Sequence, residues 1–288
     1  MPQDEDKYPT ESGRRRFVKG VVGSAALSGV ATGGLATVNW TTAAAGAGGG
    51  ITEYVAIENT GGPAPRGMPI VPITIDGGEI KGVYPEVSTQ TVQGREVQIA
   101  EEEIGGLNYK IDWFQYCGIQ TVAGLQPDAD QDNVIRAASS PFEWQSDMEA
   151  GDPITLDMFD DYREWGNGIG RSGLGKPAAC RWRSEGDVSS MPVQVLRTPE
   201  LPKMINGEGK YSDIPGRVRN FLDAATEENV MAWLDKCTHF CCVPHFKAFA
   251  GSVDFGGEDG VYCQCHQSVY DPFSPVIRRF TALPRPNE

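Results

Sequence analysis

The sequence predicts a mainly β domain carried behind one apolar N-terminal segment. Three observations predict it: β-like runs recur at short intervals after residue 50, turn-forming residues fill the gaps, and an uncharged stretch precedes them all. The runs are ITEYVAI (51–57), VPITI (71–75), EVQIA (96–100), LNYKIDWF (107–114), PITLDM (153–158) and PVQVL (192–196). They are rich in β-branched and aromatic residues, which fit a pleated, half-buried surface. With 35 Gly and 20 Pro among 288 residues, the chain has turn formers for every gap. One helix is predicted over GRVRNFLDAATEENVMAWL (216–234), where Val218, Phe221, Leu222 and Ala225 recur at helical spacing. Residues 127–190 are turn-rich and read as an insertion in or beside the β domain, and GGPAPRG (61–67) reads as a turn.

The N-terminus reads as an address. Residues 1–19 end in GRRRFVK, and Arg14-Arg15 followed by Phe17, Val18 and Lys19 fits the twin-arginine signal for Tat export. Gly20–Val38 carries no charge, and its 19 residues would span roughly 28 Å as a helix, close to a bilayer core of about 30 Å. Residues 20–40 are therefore expected to be a signal or anchor helix, with 1–19 cytoplasmic. Its five glycines weaken it as a spanning helix, and Ala43-Ala44-Ala45 offers a cleavage site, so removal and retention both stay open. Residues 41–50 (TTAAAGAGGG) are expected to be a flexible hinge, and 51–288 the exported domain.

Charge narrows the partners. The net charge is −14, with 9 Lys against 16 Arg, and residues 51–288 alone carry −15. Nucleic acid is not an expected partner, because binding phosphate needs a basic face. An acid-rich, lysine-poor surface suits solubility in strong salt, so a halophilic source is expected.

Five of the seven cysteines and two of the three histidines fall in two short stretches, CTHFCC (237–242) and CQCHQSVYD (263–271). Cys237, His239, Cys263 and His266 can bind metal from two facing loops. Either a tetrahedral zinc or a [2Fe–2S] cluster with two thiolates and two imidazoles suits such a set. Cys242 and Cys265 are spare beside a zinc. On adjacent loops of an exported chain they are expected to pair as a disulfide, which suits a cluster perched at a tip with little core around it. His245 reads as a loop residue rather than a ligand. Cys117 and Cys180 could be a second disulfide or two buried thiols.

These boxes resemble those of the Rieske iron–sulfur proteins of cytochrome bc-type complexes, C-T-H-x-G-C and C-x-C-H-G-S followed by x-[YF]-D. The match includes every cysteine and histidine of the pattern, with Thr238, Ser268, Tyr270 and Asp271. It covers some 40 to 50 residues directly, and anchor, hinge and soluble head fit the family's layout. The resemblance implies a Rieske-type antiparallel β domain with a small cluster-binding part at about 233–275. It implies a [2Fe–2S] cofactor with Cys237 and Cys263 on the buried iron, His239 and His266 on the outer iron, a Cys242–Cys265 bridge, and Ser268 and Tyr270 donating hydrogen bonds to sulfur. Two departures stand out: Cys241 and Gln267 replace glycines of the pattern, where a Cβ can crowd a tight turn. ALPRP (Ala282–Pro286) resembles the family's proline-bearing loop near the cluster.

What the resemblance implies of function is a high-potential Rieske subunit, held at the cell membrane by a single-pass helix with its soluble domain outside. Through His239 or His266 it would take an electron and a proton from quinol. Its partners would be a b-type cytochrome subunit and a cytochrome c or blue-copper acceptor. Rivals are the electron-relay subunit of a molybdenum oxidoreductase, of arsenite oxidase or nitrate reductase type, and a zinc-stapled exported surface protein. A Rieske oxygenase is excluded within this chain, because only His245 would remain for a mononuclear iron.

Overall fold

A computed structural model describes residues 50–92, 95–117, 130–184 and 191–282, all within one compact unit, Ala44–Glu288. The twin-arginine motif, the expected anchor helix 20–40 and hinge residues 41–49 lie outside the described residues. Among the described residues no helix is long and apolar enough to cross a membrane.

The domain is mainly β, and among the described residues every strand pairing is antiparallel. It opens with β1 (Gly50–Gly61) and β2 (Met68–Val71), followed by the hairpin β3 (Ile73–Asp76) and β4 (Glu79–Gly82). A small sheet follows, made of β5 (Val87–Val92), β6 (Arg95–Ile104) and β7 (Leu107–Lys110). The chain then adds β8 (Arg136–Ala137), β9 (Lys176–Arg181) and β10 (Pro192–Arg197). Helices α1 (Leu201–Asn206) and α2 (Gly216–Ala225) precede β11 (Val230–Leu234), β12 (His245–Phe246), β13 (Val261–Cys263) and β14 (Ser268–Ala282). Nine strands form one curled sheet in the order β12-β13-β14-β1-β2-β11-β10-β9-β8.

Local chemistry explains these elements. Tyr54, Val55, Ala56 and Ile57 of β1 and all five residues of β11 are fully buried, so both strands are covered on both faces and read as unbroken apolar runs. The β3–β4 and β6–β7 hairpins close on Gly77-Gly78 and Gly105-Gly106, all at positive φ, as two-residue turns between twisted strands require. Trp113 anchors the core, with ring centroids 5.2 Å from Tyr109 and 5.4 Å from Phe221 of α2.

Two expectations are corrected. The helix predicted over 216–234 ends at Ala225. Glu228 and Asn229 then turn the chain at φ 50° and 64°, and VMAWL becomes β11, paired with β10 and β2. The helical spacing was genuine through Ala225, but the continuous apolar run after it is the mark of a strand buried on both faces. Nor is 127–190 a mere insertion: β9 pairs along its whole length with β10, and β8 extends the same sheet. Polar turns around a short strand hid it.

Sheet order sets a condition on the loops. β11 and β12 stand five places apart, about 24 Å in a flat sheet, yet residues 235–244 join them with a tightly folded loop. Curling makes this possible. Register shifts between Ile57 and Glu58 and between Asn59 and Gly61 bend β1 against β14 at the end nearest that loop.

Phe221→Ala should cost about 3–5 kcal/mol through the cavity left against Trp113. Chemical denaturation should show the midpoint falling with little change in slope.

Candidate metal centre

The first box follows β11 directly. It closes on itself: the Cys237 N–H donates to the Cys242 carbonyl at 2.7 Å, and the Cys241 N–H to the Cys237 carbonyl at 3.0 Å. The second box is the hairpin between β13 and β14, whose last pair is Cys263 with Ser268. Both departures from the glycine pattern fall where the backbone is left-handed, Cys241 at φ 64° and Gln267 at φ 56°. The turns keep the shape that glycine would adopt, at a cost of about 1–2 kcal/mol for each non-glycine residue.

Two disulfides offset that cost. Cys242–Cys265 joins the boxes, as expected. Cys117–Cys241 ties the first box to the segment after β7, across a sequence separation of 124. Cys117 and Cys180 are therefore not partners, and Cys180 is a buried free thiol.

The sulfurs of Cys242, Cys263 and Cys265 lie within 4.8 Å of one another, a grouping that can hold a metal ion. With Cys242 and Cys265 bonded, however, neither offers a thiolate. The free donors at the boxes are the Cys237 and Cys263 thiols, each 1% exposed. They touch: the Cys263 thiol donates to Cys237, and this is the largest influence holding the Cys237 thiol down to about 5 against the opposing effect of burial. Hydrogen bonds from Tyr270, the His239 N–H and Ser268 push the same way. The Tyr270 hydroxyl donates to Cys237 Sγ at 3.2 Å. Cys263 is pushed well up, first by donating to Cys237 and then by burial, while the N–H groups of Cys265 and His266 also point to its sulfur. Two buried sulfurs ringed by N–H and O–H donors mark a pocket that favours negative charge.

The imidazoles stand together. The His239 and His266 rings are 4.7 Å apart at 85°, with His266 exposed. His239 Nδ1 is buried with no hydrogen-bond partner. A buried, unpartnered ring nitrogen is costly unless something binds it. Phe240, 66% exposed, flanks both rings at 4.1 and 5.3 Å. His245 lies on β12 with its Nδ1 3.1 Å from the buried Asp235 carboxylate, which leaves it a structural partner rather than a member of the histidine pair.

One neighbour was missed in the sequence. Residues 61–67 are more than a turn, for they lie against both boxes. The Ala64 N–H donates to Ser268 Oγ at 3.2 Å, and the Thr238 hydroxyl donates to the Arg66 carbonyl at 2.6 Å. Gly62 passes so close that a Cβ there would meet the Gln267 carbonyl at 2.4 Å. The stiff Pro63-Ala64-Pro65 triplet was the available signal. Of Ala282–Pro286, the loop expected beside the site, Ala282 pairs with Gly50 at the end of β14 remote from the boxes, and 283–286 lie outside the described residues.

No protein-family model, curated protein or solved structure matches this chain. The site's own geometry carries the functional reading.

Non-reducing peptide mapping should recover Cys117 linked to Cys241 and Cys242 linked to Cys265. Cys180, 2% exposed and with its thiol pushed up by burial, should resist alkylation until the domain unfolds. A Cys241–Cys265 peptide would contradict this arrangement.

Proposed function

We propose that this chain is a Rieske-type [2Fe–2S] electron carrier of the quinol-oxidising class, exported by Tat and held at the membrane by its N-terminal segment. The observation that carries this reading is the donor set: two touching buried thiols and two adjacent imidazoles, one with a buried, unpartnered ring nitrogen. Cys237 and Cys263 would hold the buried iron, and His239 and His266 the outer one. The cluster, when bound, supplies one-electron redox chemistry at a potential set by the charge and hydrogen bonds around it.

The residues of the chain divide the remaining work. Tyr270 and Ser268 place hydroxyl hydrogens on Cys237 Sγ, where they stabilise added negative charge. The His266 ring, exposed at the tip, can exchange a proton with a bound hydroxyl compound through its outer nitrogen. Phe240, 66% exposed, lies 5.3 Å from that ring and offers apolar surface suited to a quinol ring. Disulfide Cys242–Cys265 keeps the two loops in register while this exchange occurs. A b-type cytochrome would present the quinol, and a cytochrome c or blue-copper protein would take the electron. These roles, the outward-facing location and the anchor follow from the resemblance and from the twin-arginine motif.

Protein purified from its native membrane should contain about two iron and two acid-labile sulfides per chain, with a rhombic EPR signal on reduction. About one zinc and no iron would overturn the proposal. A hydrogen bond to a charged group contributes about 1.5–3 kcal/mol, and only its change between oxidation states affects potential. If that change is about 1–2 kcal/mol, Ser268→Ala and Tyr270→Phe should each lower the midpoint by about 40–90 mV, at about 59 mV per tenfold for one electron.

A further inference from the structure

We infer that Arg66 is a positioning residue for the electron-carrying site, acting through Thr238 and Tyr270 on the Cys237 sulfur. The inference rests on the function proposed above and assigns a role to a side chain that stands over Tyr54, Tyr116 and Phe280.

The guanidinium of Arg66 sits over three aromatic rings at once: Phe280 at 4.4 Å, Tyr116 at 4.9 Å and Tyr54 at 5.7 Å from the ring centroids. Each contact is favourable, because the ring face carries partial negative charge. The rings are themselves fixed. Tyr54 and Phe280 pack edge to face at 5.5 Å. The Tyr54 hydroxyl donates to the Gly67 carbonyl at 3.3 Å, and the Tyr116 hydroxyl donates to the Lys236 carbonyl at 2.9 Å. The cage therefore grips the chain on both sides of the site, one residue past Arg66 and one residue before Cys237.

A fixed Arg66 side chain fixes the Arg66 carbonyl. That carbonyl accepts the Thr238 hydroxyl at 2.6 Å. Thr238 in turn donates its N–H to Tyr270 Oη at 3.1 Å. With one lone pair so engaged, the Tyr270 hydroxyl hydrogen is directed to Cys237 Sγ at 3.2 Å. The chain of contacts has no gap from cage to sulfur. Hydrogen bonds in such a chain polarise one another, so loosening the first weakens the last.

The test is a double-mutant cycle on cluster-loaded protein, read by midpoint potential and EPR g-values. Arg66→Ala should reduce the relative stability of the reduced form about threefold to tenfold, or about 30–60 mV at about 59 mV per tenfold. Phe280→Leu opens one wall of the cage and keeps the charge; it should shift the midpoint the same way, by less. Arg66→Lys should restore part of the loss. In a Tyr270→Phe background, Arg66→Ala should produce little further shift. An equal shift in both backgrounds would mean that Arg66 acts only through its positive charge, and the inference would be overturned. No shift in any Arg66 or Phe280 variant that retains the cluster would overturn it too. Absence of a cluster from the unsubstituted protein would remove the functional proposal itself, a result seen before any variant is made.

Discussion

The site depends on one buried hydroxyl. Tyr270 is fully buried and belongs to β14, within the second stretch (263–271), yet its hydroxyl donates to Cys237 of the first box and accepts the N–H of Thr238. These two contacts join loops that leave the sheet from different strands. In a low-dielectric interior each is stronger than it would be at the surface, and each would be expensive to break and leave unpaired. They hold the Cys237 sulfur among hydrogen-bond donors, which favour negative charge on it. The curl of the sheet and the bulged pairing of β1 with β14 bring the two loops within reach of that hydroxyl.

Covalent links then do what a small core at the tip cannot. Adjacent cysteines face opposite ways: Cys242 binds the second box through Cys265, and Cys241 binds the body through Cys117. The left-handed backbone at Cys241 would otherwise favour glycine, but glycine could not form this link. Surface ion pairs such as Glu53 with Arg217 and Arg279, or Glu58 with Arg278, are weak and are screened by salt. Disulfides and buried hydrogen bonds are not.

What the sequence made legible was local. Strands announced themselves by β-branched and aromatic runs, and the two boxes by spacings of a few residues; the structure sets the Cys237 and Cys263 thiols together and the His239 and His266 rings together. The Cys242–Cys265 link followed from the same local pattern. The helix over 216–234 was half right, because an apolar run such as VMAWL suits a buried helix and a buried strand equally until its partners are known. What stayed hidden joins distant positions. The Cys117–Cys241 link spans 124 residues, the Thr238–Arg66 contact 172 and the Ala64–Ser268 contact 204. No periodicity encodes such pairings, and a Gly-Pro-rich segment that looks like a turn shows its role only when the sheet lays it beside the boxes.

The central claim is that both His239 and His266 bind metal through ring nitrogens while two cysteines bind through sulfur. Pulsed EPR of the reduced protein tests it directly. Two strongly coupled ¹⁴N nuclei should be resolved, and one should vanish, or the cluster with it, when either histidine is replaced. A reduced cluster without strongly coupled nitrogen, or a spectrum unchanged by replacing His239, would contradict the account.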